Sequence, residues 1–259
     1  MKKEIVKIVV IFLVVLSGYI VMALYWEALK PFRGEDRLIE YLGAFSLFIA
    51  STLFFACYWF SSRRGKDTGH SPLKRSKFYL FLAILFFIGC GEEISWGQRI
   101  FGWQTPKIAQ EINSQREMNF HNIRIFNDPR YNRGEPLENE RRPVLSFLLD
   151  VDTWFFSFWF SYCLIIPLLN RYSLRASGKI SRWDLPVPPL WIGSLLLVNF
   201  SMYAIPHLTF FLSHLDHDFN ELKETYDGFL FAVLAHHELK KQLSLKKRIA
   251  AQREEFQEI

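Results

Sequence analysis

Three groups of polar residues in this 259-residue chain carry side chains able to bind, protonate or polarise a substrate, and each adjoins an apolar run. The first is Gly91-Glu92-Glu93-Ile94-Ser95-Trp96-Gly97-Gln98-Arg99, behind the uncharged stretch Phe78 to Gly91. On a helix continued through it, Glu92, Ser95, Trp96 and Arg99 share one face at i, i+3, i+4 and i+7, with Glu93 about 100° away. Two adjacent carboxylates at a membrane boundary repel, so one of them calls for a cation, a metal or a raised pKa. The bland alternative is a Glu–Arg pair capping the helix, which needs only one carboxylate. The second group holds Asn113, Gln115, Glu117, Asn119, Phe120, His121 and Asn122. On a helix drawn through Ile108 to Ile125, Glu117 and His121 stand at i, i+4, a spacing that suits two ligands of one metal or a carboxylate orienting an imidazole. A solvated helix with an ordinary i, i+4 pair is the alternative.

The third group is His214, His217, Asp218, Glu221, Glu224 and Asp227. Helical spacing aligns His214 with Asp218 and Glu221, and His217 with Glu221 and Glu224. Acids favoured at a helix N-terminus by the dipole account for Asp218 and Glu221, but not for the deeper Glu224 and Asp227. A weaker fourth group, Glu35, Asp36, Arg37 and Glu40, precedes another apolar run. Taken together, these residues suggest a divalent metal held by Glu93, Glu117, His121, His214, Asp218 and Glu221. Glu92, Glu93, His121 and Glu221 stand as catalytic candidates, a spare carboxylate acting as general base in hydrolysis or transfer. Ser95, Trp96, Gln98, Arg99, Asn113, Gln115 and Asn122 would bind the substrate, a lipid or lipid-linked group. The carboxylates favour Mg²⁺ or Mn²⁺, and the imidazoles admit Zn²⁺. The competing reading is a non-catalytic membrane scaffold, transport or assembly component whose polar cluster is structural. No Gly-rich phosphate loop, CxxC, HExxH or GxSxG string occurs.

The elements that must position these residues follow from composition. Half the chain is hydrophobic and 17% is aromatic, with 26 Phe and 8 Trp. Disorder, collagen and coiled coil are excluded by that content. Three cysteines, Cys57, Cys90 and Cys163, sit inside apolar runs and exclude a disulfide scaffold. The 22% of charged residues fall in blocks, separated by stretches near the roughly 17–25 residues that a bilayer crossing needs. The expected fold is all-α, a polytopic membrane bundle of about six helices in one domain over residues 1–259. Its spans lie near 5–25, 40–62, 77–97, 148–170, 187–208 and 218–240. A long loop covers 97–145, and a basic helix covers 240–259. The first span follows a basic start and is expected as an uncleaved anchor, since no small-x-small site precedes Tyr25-Trp26.

Charge sets the orientation. The segments 1–7, 61–77, 171–184 and 238–259 hold 19 basic and 7 acidic residues, and 25–41, 92–152 and 216–227 hold 12 and 19. The net +5 is thus +12 on one side and −7 on the other, which places both termini in the cytoplasm by the positive-inside rule. The basic loops suit anionic lipid and not nucleic acid. His236 and His237 fall near the cytoplasmic end and read as interfacial.

The string Glu92-Glu93-Ile94-Ser95-Trp96-Gly97-Gln98-Arg99, with Asn113, Gln115, Glu117 and Asn119-Phe120-His121-Asn122 after it, resembles a bacterial family of uncharacterised multi-spanning membrane proteins. The likeness covers about residues 33–125 and implies the bacterial inner membrane, with no activity attached. More loosely, the architecture is similar to that of alkaline ceramidase-like membrane hydrolases, which would lend roles to Ser95, His121, His214, His217 and Asp218. This chain departs from them in having fewer spans and more carboxylates than imidazoles.

Overall fold

The computed structural model describes residues 2–32, 37–61, 76–113, 116–120, 123, 151–173, 177–180 and 185–257. Six long helical segments account for most of them: α1 (Lys2–Leu24), α2 (Leu38–Phe60), α3 (Lys77–Glu93), α4 (Val151–Tyr172), α5 (Leu190–Leu208) and α6 (Asp216–Gln257). The described residues contain no strand, only an isolated antiparallel bridge between Asn113 and Ile123. By length and composition α1, α2 and α4 are each able to cross a membrane, and α5 is apolar but shorter. α6 has 42 residues, about 63 Å at 1.5 Å per residue, roughly twice a hydrocarbon core.

Side-chain contacts fix the relative directions. Tyr226 of α6 donates to the Val14 carbonyl of α1, while Trp26 just beyond α1 meets Asp218, so α1 and α6 run oppositely. Phe54 stacks on Tyr79, and Leu47 lies beside Gly89, making α2 and α3 antiparallel. Phe78 meets Tyr162 and Phe81 meets Phe158, which reverses α4 against α3. Phe156 meets Phe200, Cys163 abuts Gly193, Asn199 bonds Asp227 and Trp191 meets His237, so α5 reverses again before α6. The six segments alternate in direction along the chain. One end of the bundle therefore gathers the ends of α1, α3 and α5 with the starts of α2, α4 and α6; it is the acid-rich end. The opposite, basic end carries Lys2, Lys3, Lys7, Lys77, Arg171 and Lys240.

Packing follows from where small residues sit. Gly43 of α2 faces the backbone of Thr225, and a Cβ on Gly228 would lie 3.1 Å from the Gly43 carbonyl oxygen. These glycines let α2 and α6 approach closely, as small residues do between membrane helices. The core between them is aromatic: Phe86 and Phe231 rings are 4.5 Å apart, Phe54 stacks on Phe86 at 5.7 Å, and Phe158 covers Phe231 at 6.2 Å. The outer surface is apolar as well, with Val9, Val10, Leu13, Phe45, Phe48, Phe55, Phe81 and Phe87 all exposed. α4 is interrupted by a π-helical turn, Ser161–Ile165, just before Pro167. Proline lacks an N–H and crowds the carbonyl four residues back, which is Cys163, and the wider turn relieves that crowding.

Candidate functional site

The acid-rich end is built from two polar assemblies, and the adjacent Glu92 and Glu93 belong to different ones. α3 ends at Glu93, so the expected helical face through Arg99 does not form. Instead Ser95, Trp96 and Gly97 take successive left-handed conformations, φ 45°, 54° and 77°. This reversed turn folds Trp96 back over Gly91, and its indole N–H donates to Glu92 Oε1 at 2.7 Å. Glu92 and Trp96 thus meet, through the reversed turn and not through helical spacing.

The turn is held by the second sequence group. Glu92 Oε2 accepts from the Phe120 amide at 2.5 Å. Ser95 Oγ donates to Glu117 Oε2 at 2.5 Å, and Asn119 Nδ2 donates to both, at 3.2 and 3.1 Å. Asn113 Nδ2 donates to the carbonyl and side-chain oxygens of Asn119, each at 2.8 Å, and its own Oδ1 accepts from the Glu117 amide at 3.2 Å. Gln98 Oε1 accepts from the Met118 amide at 2.8 Å, and Gln98 Nε2 donates to Thr105. Ser95, Asn113, Glu117 and Asn119 are all buried.

Of the helix expected from Ile108 to Ile125, the described residues show Lys107–Ile112. Asn113 and Asn119 give the backbone side-chain partners that compete with helical bonding, and residues 116–118 bend. Glu117 lies outside a helix and is bound to Ser95 and Asn119. Gln115, His121 and Asn122, with Glu35 and Asp36, lie outside the described residues, as does the side chain of Arg99.

The second assembly belongs to the helices. Glu93 lies within electrostatic range of Glu224, Glu221 and Glu40, with Lys223 as the counter-charge, and makes no hydrogen bond or ion pair with another described residue. α2, α3 and α6 thus deliver carboxylates to one place. Lys223 Nζ is 3.5 Å from Glu224 Oε1, lies 5.0 Å from the centre of the Tyr203 ring, and also senses Asp152 and Asp227. Behind it, buried Asp227 accepts from Asn199 Nδ2 at 2.8 Å, and the Tyr19 hydroxyl donates to Asn199 Oδ1 at 2.8 Å. Tyr19, Asp152, Asn199 and Lys223 are absent from the sequence-derived set. Asn199 carried a signal nonetheless, as an uncompensated amide in an apolar run.

The remaining predicted residues are dispersed. His217 Nδ1 is 3.6 Å from Glu221 Oε1, so that predicted alignment is present. His214 precedes α6 in the 3₁₀ turn Phe210–Leu215 and stands edge-on to Trp26, with ring centres 5.1 Å apart. Asp218 is buried and accepts from Trp26 Nε1 at 2.6 Å. A shallow cleft of about 390 Å³ opens beside Tyr25, Trp26, Glu27 and His214. Among the described residues, no three His, Cys, Asp or Glu side chains come together as ligands for one metal ion. Comparison with protein-family models, curated proteins and solved structures finds no match to this chain.

Proposed function

We propose that this chain is a six-span protein of the bacterial inner membrane, with both termini cytoplasmic and the acid-rich end facing outward. There it binds a lipid or lipid-linked substrate and acts on it by hydrolysis or transfer. The alternation of helix direction and the −7 against +12 partition of charge support the topology. The observation that carries the functional reading is Glu93: a carboxylate without a hydrogen bond among the described residues, facing Glu221, Glu224 and Glu40 from two other helices. Ionisable groups at membrane depth are expensive and concentrate at functional sites. A carboxylate in that position suits a cationic headgroup or the removal of a proton, and Lys223 suits an anionic one. The metal part of the reading would depend on His121 or another ligand beyond those described.

The knot around Ser95 has a different role. Its carboxylates and amides are engaged with one another, so it anchors the segment after α3 at the mouth of the site. That closure also favours the second reading, a non-catalytic scaffold or assembly component. A through-pore is disfavoured, because Phe54, Phe86, Phe158 and Phe231 fill the core between the two ends. Native mass spectrometry of protein released from bacterial-lipid nanodiscs separates the readings. Retention of a lipid-derived ligand by the parent protein, lost in folded Glu93→Gln and Glu221→Gln, supports the substrate site; equal retention in all three supports the scaffold.

A further inference from the structure

The basic end holds a second polar site that sequence patterning did not mark. Glu238 of α6 is fully buried, and its Oε2 accepts from the Tyr79 hydroxyl at 2.7 Å and lies 3.5 Å from Lys241 Nζ. Gln242 Nε2 donates to the same Tyr79 oxygen at 3.0 Å. Glu238 Oε1 has no hydrogen-bond partner among the described residues, and neither does the hydroxyl of Tyr162. The two residues are 0% and 2% exposed. They come from different helices that meet at the start of α3, where the Phe78 ring lies 5.1 Å from that of Tyr162 and the adjacent Tyr79 holds Glu238. Tyr162 stands in the π-helical turn, a feature that recurs at functional positions.

Buried polar groups left without a partner carry their full desolvation cost, so two of them in one place call for a common explanation. Their chemistries are complementary. Beside Lys241, the carboxylate oxygen Glu238 Oε1 is an acceptor, whereas the Tyr162 hydroxyl has a proton to give and lone pairs to share. We propose that one ordered water bridges them, accepting from Tyr162 and donating to Glu238 Oε1. A cation fits less well, since Lys241 already offsets the carboxylate and a metal ion would leave the Tyr162 proton without an acceptor. The bridge completes a polar chain from Gln242 through Tyr79 and Glu238 to the π-turn of α4. The bridge thereby ties α4 to α6.

The sign of one stability change tests this. Tyr162→Phe removes only the hydroxyl. If that hydroxyl is a true orphan, its removal leaves Tm unchanged or raises it; if it holds a bridging water, Tm falls by about 2–4 °C. The expected result is the fall, with Tyr162→Phe and Glu238→Gln costing less together than the sum of the two alone. A density map of the nanodisc protein should show one water within hydrogen-bond distance of both atoms. An unchanged or raised Tm, strict additivity, or a direct Tyr162–Glu238 bond in the map overturns the proposal.

Discussion

Successive helical side chains point about 100° apart, and at the end of α3 this rotation sends Glu92 to the loop and Glu93 to the acids of α6. The two adjacent carboxylates thereby acquire different partners. Residue-scale consequences follow from the partners each one has. Ser95→Ala removes a short, charge-assisted hydrogen bond to buried Glu117 and is expected to cost about 1.5–3 kcal/mol. A thermal melt in detergent would show it; an unchanged Tm would mean that the bond contributes nothing. Asn199→Ala takes from Asp227 its hydrogen bond in the core, with an expected loss of about 1–3 kcal/mol. Tyr19→Phe, which leaves the Asn199–Asp227 bond in place, is expected to cost less, and the reverse order in chemical denaturation would contradict the relay as described.

At the scale of elements, the uncharged runs mark helices because a membrane-depth backbone must satisfy its own hydrogen bonds, and α1, α2 and α4 read directly from them. α6 is faint in the sequence for a physical reason: Asp218, Asp227 and Glu238 are buried in the bundle and Glu221 and Glu224 are partly so, and the helix carrying these polar residues has a weak apolar signal. The π-turn is invisible because it answers a crowding between Pro167 and Cys163 that depends on coordinates. The reversed turn at Ser95–Gly97 escapes for a similar reason, since residues some 20 positions downstream hold it in a conformation helical propensity would not choose. Of the candidate site, the grouping of Glu93 with Glu221 at one end was legible from the charge pattern, whereas the partners of Glu117 were not, because Asn113 and Asn119 bond the local backbone and side chains in place of a helical turn. One element-level prediction concerns α4 and α5. A Cβ at Gly193 would sit 2.2 Å from the Cys163 carbonyl oxygen. Gly193→Ala should therefore push the helices apart and destabilise by about 1–3 kcal/mol, whereas Gly178→Ala, in open space, should melt as the parent does.

For the whole molecule, the charged residues at the described helix ends divide largely by sign between the two ends of the bundle. The acid-rich end collects Glu40, Glu93, Asp152, Glu221 and Glu224 from four helices, and the basic end collects Lys2, Lys3, Lys7, Lys77, Arg171 and Lys240, also from four. The proposed topology predicts that single cysteines at Ser213 and at Ser244, in a chain freed of Cys57, Cys90 and Cys163, differ in intact cells. An impermeant thiol reagent should modify the first and leave the second untouched, and labelling of Ser244→Cys from outside would invert the arrangement. The most direct test of the central claim is the same labelling at Glu93→Cys, comparing a cationic with an anionic methanethiosulfonate. Attraction by Glu221, Glu224 and Glu40 predicts modification from outside, with the cationic reagent reacting about tenfold faster and the preference shrinking in Glu221→Gln. No outside labelling, or equal rates for the two reagents, would contradict an outward carboxylate site built on Glu93.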